Sequence, residues 1–261
     1  MRLVTFDRRG HRRLGAILGG EVVDLPEAVG HPAFPTTLEA LVAASGGTVM
    51  DAARAALARD EAIRFAVPSA RVLIPLFPTS LLSDDAVDGA RRIVGPEQTV
   101  PWPEGAAWLE YEPRIAAVLA RGAHRASPEE VREKVFGYML VNDWRARSAS
   151  GDPISTSAGL PISFGPCVVT ADELDPQTMF VDVKVDGESL AKGNLNGAAY
   201  DLMERISRAS HLGELEGGDA FALTPFAGLG PEPSRQLWPG ASIELAAEGI
   251  GTLRNVLGHR R

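Results

Sequence analysis

Strand-type runs recur along this chain at uneven intervals, without the regular strand–helix alternation that builds a parallel α/β sheet. That pattern restricts the chain to a mostly β fold with some α, an α+β architecture. Near the start, "RLVTF", "RLGAIL" and "EVVDL" are short β-type segments separated by "DRRGHR" and "GG", as in an antiparallel meander. An alanine-rich helical region follows, with Leu38, Leu41 and Val42 and then "TVMDAARAALARDEAIRF" placing apolar residues at helical spacing. Three prolines in "VPSARVLIPLFPTS" rule out one continuous central strand. The expected division is therefore a small N-terminal β/α domain, residues 1–70, and a larger domain, residues 71–261.

Within the larger part, "LLSDDAVDGARRIVGPEQTVPWPEG" is polar and rich in Gly and Pro, and reads as a loop with one helical turn. Strand signals return in "RIAAVLA", "FGYMLVND", "ISFGPCVVT", "MFVDVKVDGES", "GDAFALT" and "SIELAAEGIGTLRNVL". Two helices interrupt them. "SPEEVREKV" opens with Ser127 as N-cap and Glu130 completing a capping box, and "NGAAYDLMERISRASHLGEL" is the other.

A formal net charge of −8 argues against nucleic acid as partner, because phosphate binding needs a concentrated basic surface. Cys167, the only cysteine, sits in the apolar run "PCVV", which excludes an intrachain disulfide and a zinc–cysteine cluster and reads as an inert packed thiol. The start "MRLVTFDRRG" lacks the apolar core of a signal peptide, and no apolar run is long enough to span a bilayer. The expected location is cytoplasmic, with no membrane partner.

The stretch "AAWLEYEPRIAAVLARG" carries the most chemistry. On one β-strand, Glu110, Glu112 and Arg114 share a face. Two carboxylates there would grip a divalent cation, whereas a carboxylate beside an arginine would not.

Several stretches in order resemble the fumarylacetoacetate hydrolase superfamily: "RRIVGPEQTVPWPEGAAWLEYE" (91–112), "VFGYMLVNDWRARS" (135–148), "LEGGDAFALTPFAGLGPEP" (215–233) and "IELAAEGIGTLRNVL" (243–257). The N-terminal "RLVTF…RLGAILGGEVVDL" is similar to the small β domain that many members carry. This resemblance implies a β-roll catalytic domain behind the small N-terminal domain, usually in a homodimer. It also implies a small-molecule carbonyl substrate, a keto acid or 1,3-dicarbonyl compound, chelated through its oxygens by Mg²⁺ or a similar hard cation that stabilises an enolate.

Carried over residue by residue, the resemblance holds only in part. Asp143 in "VNDWRAR" matches the family's metal-binding aspartate. For the Glu-x-Glu pair, the apolar run "IAAVLA" sets the register so that the first glutamate is Glu112 and the second position is Arg114. A guanidinium cannot ligate a cation and its charge opposes one. A shifted register would use Glu110 and Glu112 instead, with Pro113 imposing a bulge that re-aims Glu110. The family's lysine position falls near Ala158 and its histidine position near Ala90; none of the five histidines, at 11, 31, 124, 211 and 259, lies there. Its glutamate survives as Glu244 in "SIELAAEG".

The candidate site is accordingly catalytic Arg114, Glu112, Asp143 and Glu244. Arg147, Thr224, Asp84 and Asp85 are its substrate-binding residues, with Asp88 a further candidate base or lid residue. Should a cation bind, Glu112, Asp143 and Glu110 are its ligands. The favoured reading is a repurposed enzyme that needs no cofactor, cyclising, isomerising, dehydrating or decarboxylating an enolisable keto-acid or polycarbonyl substrate held by arginine, in specialised metabolite biosynthesis. The first alternative is a Mg²⁺-dependent (or Mn²⁺- or Ca²⁺-dependent) C–C bond hydrolase or isomerase of the acylpyruvate or fumarylacetoacetate type. A catalytically inactive homologue with a binding role is the second.

Overall fold

A computed structural model describes residues 1–83, 87–88, 92–154, 160–194, 202–223 and 236–260. Strands β1 (Arg2–Arg8), β2 (His11–Leu18) and β3 (Glu21–Asp24) form the expected meander, with β1 paired to β2 and β2 to β3, both antiparallel. Helices α1 (Leu25–Val29), α2 (Leu38–Ala43) and α3 (Thr48–Leu57) follow. The helical signal that continues past Leu57 in the sequence breaks there; a separate 3-10 turn covers Ala62–Phe65.

The segment read as a loop with a helical turn is different. Its described residues hold the short strands β4 (Leu81–Ser83), β5 (Val87–Asp88), β6 (Ile93–Val94) and β7 (Thr99–Val100), and no helix. Three of the four add to other strands: β4 runs parallel to β15 (Ala220–Leu223), β6 parallel to β12 (Ile162–Thr170), and β7 parallel to β17 (Gly251–Leu257). Backbone bonds from residues far away in the chain make these strands, which is why local composition hid them.

β8 (Trp108–Glu110), β9 (Pro113–Leu119), α4 (Pro128–Arg132), β10 (Val135–Asp143) and β11 (Arg145–Arg147) precede β12. β13 (Phe180–Val185), β14 (Glu188–Asn194), α5 (Leu202–Leu212), β15, β16 (Ser242–Ala247) and β17 complete the chain. The capping box on α4 is formed as expected: Ser127 accepts from the Glu130 N–H, and the Glu130 carboxylate accepts from the Ser127 N–H.

Among the described residues, a ten-stranded sheet orders β3-β2-β1-β12-β10-β9-β15-β4-β5, with β6 beside β12. A five-stranded sheet orders β14-β13-β16-β17-β7, and β8 pairs with β11 in a small third sheet. The large sheet is apolar on both faces. Ile115, Ala117, Leu140 and Val169 pack with Val181, Val183, Ile243 and Leu245 of the five-stranded sheet. Ala116, Val118, Met139 and Val141 share a second core with Leu38, Leu41, Met50 and Ala53 of α2 and α3. Burial on both faces explains why β9 and β10 read as continuous apolar runs rather than alternating ones. Arg114 and Asp143 interrupt those runs, and by alternation each lies on the face of Ala116 and Val141. No helix among the described residues is long and apolar enough to cross a membrane.

Candidate active site

The strand expected to carry Glu110, Glu112 and Arg114 on one face is broken between them. Pro113 has no N–H to give to the ladder, so the large sheet's strand starts there, at β9. The three residues before the break, β8, leave for the small sheet and pair with β11, placing Glu110 opposite Arg145 and Trp108 opposite Arg147. Glu112 lies at the break. Its N–H donates to the Asn142 side-chain Oδ1 at 3.0 Å, and its carbonyl accepts from the Asp143 N–H at 2.9 Å. The segment before β9 and the end of β10 are thereby tied together.

Around the break sits a compact charge cluster. Arg114, only 1% exposed, bonds through Nη2 to Glu112 Oε1 at 2.6 Å and approaches Asp143 Oδ2 at 3.1 Å. Its Nη1 donates to the Ala222 carbonyl on β15 at 3.3 Å. Arg145 closes the other side, with Nε 2.9 Å from Glu112 Oε2 and Nη2 3.3 Å from Asp143 Oδ2. Two carboxylates are therefore shared by two guanidiniums, one deep and one at the surface. Between them, Trp144 is fully buried and donates Nε1 to Ser163 Oγ at 2.8 Å, which fixes the backbone from which Asp143 and Arg145 project.

Glu110 is elsewhere engaged. Its Oε2 accepts from Arg147 Nε at 3.1 Å and its Oε1 from Trp108 Nε1 at 3.3 Å. Among the described residues, the contacts thus place Arg147 beside Glu110 and Arg145 beside Glu112. Arg147 is the expected substrate-binding arginine, but the contacts place Arg145 at the Glu112–Asp143 pair. Glu244 is not brought to the cluster by any described contact: it lies on β16 in the five-stranded sheet, with Arg254 Nε 3.4 Å from Oε1. Thr224, Asp84 and Asp85 lie outside the described residues, as do the positions Ala90 and Ala158 where the family's histidine and lysine were sought. Of Asp88 only the backbone is described, in β5.

A divalent cation does not fit these residues as they are arranged. A hard cation needs several oxygen ligands with available lone pairs. Here each carboxylate of the Glu112–Asp143 pair already accepts from two guanidiniums, and a buried positive charge stands between them. No group of three His, Cys, Asp or Glu residues suited to a metal occurs among the described residues. Cys167 takes no part either; burial pushes its thiol up to about 12, and its Sγ lies 3.2 Å from the Ile250 carbonyl.

Residues 79–257 match the family model described as fumarylacetoacetate (FAA) hydrolase C-terminal. The match covers well over half of the chain, and the protein belongs to that family. An oxaloacetate tautomerase of Bacillus subtilis is 31% identical over 157 residues, which is 58% of this chain and 52% of the tautomerase. The chain thus matches about half the length of that relative. A 2,4-didehydro-3-deoxy-L-rhamnonate hydrolase of a Sphingomonas species is 28% identical over 285 residues, covering 97% of this chain and 95% of the hydrolase. Among solved structures, maleylpyruvate hydrolase from Sphingobium, in complex with manganese(II) and pyruvate, superposes with a TM-score of 0.76 at 22% identity and full coverage of both chains. This last likeness shows the fold. Relatives of this chain include enzymes named as a tautomerase and a hydrolase.

Proposed function

We propose that this protein is an enzyme of the fumarylacetoacetate hydrolase family, acting on an enolisable keto-acid or polycarbonyl substrate with Arg114 supplying the positive charge that a cation supplies elsewhere. The single observation that carries this reading is the position of the Arg114 guanidinium, 2.6 Å from Glu112 and 3.1 Å from Asp143. In such a reaction a proton leaves the carbon next to a carbonyl. The C–H electron pair becomes the enolate C=C bond, and the carbonyl oxygen takes the negative charge. A fixed cation in a dry site stabilises that oxyanion without reorganising during the reaction. In this reading the proton acceptor is one of Asp84, Asp85 and Asp88, and Thr224 supplies a hydroxyl donor. Isomerisation, cyclisation and dehydration proceed through this enolate; decarboxylation reaches an enolate when the C–C pair, in place of the C–H pair, becomes the C=C bond and CO₂ leaves, and none of these needs an activated water. Residues 1–70 form a small flanking domain in this reading, and the working unit is a homodimer.

The second reading, a Mg²⁺- or Mn²⁺-dependent hydrolase or isomerase, draws support from the near full-length likeness to the rhamnonate-derivative hydrolase. One experiment separates the two. Short 2-oxo acids are incubated with the protein in D₂O and exchange of the protons next to the carbonyl is followed by NMR. The proposal expects exchange that persists in EDTA and is lost in Arg114→Met. Exchange that needs added Mg²⁺ or Mn²⁺ would favour the second reading.

A further inference from the structure

The charge cluster contains two arginines that bond the same two carboxylates, yet they face different surroundings. The Arg114 side chain is 1% exposed and that of Arg145 is 42% exposed. An incoming molecule therefore meets Arg145 first. The two carboxylates differ in the same way: Glu112 is 18% exposed and Asp143 3%. Glu112 and Arg145 form the outer rank of the cluster, and Arg114 and Asp143 the inner one.

One donor of the cluster is unmet: Arg114 Nε is buried with no hydrogen-bond partner among the described residues. An unmet buried N–H beside a second guanidinium is suited to one more acceptor, not to a cation. The four charges of Glu112, Asp143, Arg114 and Arg145 nevertheless cancel, so an arriving carboxylate meets a neutral cluster. It gains a full charge-assisted bond only by taking a guanidinium edge from a carboxylate that already holds it.

We propose that Arg145 is the residue that binds the substrate's carboxylate, and that Glu112 competes with the substrate for it. On arrival, the substrate carboxylate takes the Arg145 Nε edge now held by Glu112 Oε2, and Glu112 stays on Arg114 through Oε1. Arg114 and Asp143 keep their bond and act as the fixed floor. Arg145 is built for this exchange. Its side chain is 42% exposed, while the adjoining Trp144 is anchored on Ser163, so the guanidinium can turn to a new acceptor without a shift of the backbone. This inference rests on the proposed oxo-acid chemistry of the site.

Isothermal titration with pyruvate and with oxalate, in EDTA, tests it through two variants of opposite sign. Arg145→Ala is expected to weaken binding about 10- to 100-fold, and Arg145→Lys less, because a point charge lacks the forked edge. Glu112→Gln is expected to tighten binding several-fold, because the competitor's charge is gone. A purely structural role for the cluster would move both variants in the same direction. Thermal melts verify folding; should the alanine variant fail to fold, the lysine variant carries the test. Unchanged affinity in the folded Arg145 variant, or weaker binding in Glu112→Gln, would overturn the inference alone. If the unmodified protein binds neither probe, the oxo-acid reading falls together with it.

Discussion

Two buried charge clusters in this chain are built differently: one encloses an acid alone, the other a base together with an acid. In the N-terminal meander the buried member is an acid: Asp24 is fully enclosed, with Arg8 and Arg13 reaching down to it from half-exposed positions. At the candidate site the deepest member is a base, Arg114, with Asp143 buried beside it and Glu112 partly exposed. Every bond of Asp24 serves the fold. It ends β3, caps α1 by accepting from the Glu27 N–H, and ties β1 and β2 to the turn through the two arginines. Arg114 ties β9 to the Ala222 carbonyl of β15, yet it is the one charge in an otherwise apolar strand. Its neighbours in β9, Ile115, Ala116, Ala117, Val118 and Leu119, are all buried and apolar. Buried ion pairs are often no more stabilising than well-packed apolar groups. The proposed role of Arg114 in the chemistry would account for a charge at this position; Asp24 needs no such role.

That contrast can be broken in order of expected effect. Arg114→Ala should be the most damaging single change, because it strips the inner cation from Asp143, which is held out of water, and from the partly exposed Glu112. A loss of roughly 3–5 kcal/mol in urea unfolding is expected. A loss below about 1 kcal/mol would mean that the cluster relaxes freely and is not a fixed electrostatic device. Asp24→Ala should cost less, about 2 kcal/mol, since it loses a helix cap while its arginines turn out to water. Equal losses for the two would erase the distinction.

The smallest effect belongs to a third ion pair, at the end of β1. The hydrogen bond from Arg71 holds the Asp7 carboxyl below the usual carboxylate range, helped by the Gly10 N–H. A carboxyl lowered in the folded state contributes stability above its unfolded pKa and loses it as pH falls through the folded one. Arg71→Ala should therefore leave the melting temperature at pH 7 slightly lower and flatten its decline in the acid range below about pH 4. A steeper decline in the variant would contradict this assignment.

How much of this was legible in the residues depends on how local the cause is. The meander, the α4 capping box and the strands β9, β10 and β12 follow from local composition, and the structure has them. β4, β6 and β7 were invisible because their partners lie on β15, β12 and β17, far along the chain. At the site, Arg114 stood out because one charge interrupts an apolar run, and "VND" marked Asp143. Arg145 did not stand out. In "WRARS" two arginines alternate on a short segment, a pattern shared with any solvated strand edge. Which arginine meets Glu112 is decided by the pairing of β8 with β11 and by the break at Pro113, and neither is written in the local spacing.

The central claim is that a protein guanidinium occupies the charge position between Glu112 and Asp143. Electron paramagnetic resonance of Mn²⁺ titrated into the protein tests it directly, with Glu112→Gln and Arg114→Glu measured alongside. The expected result is free Mn²⁺ signal in the unmodified protein and stoichiometric binding in Arg114→Glu, where a third carboxylate replaces the cation. One tightly bound Mn²⁺ in the unmodified protein, lost in Glu112→Gln, would contradict the account.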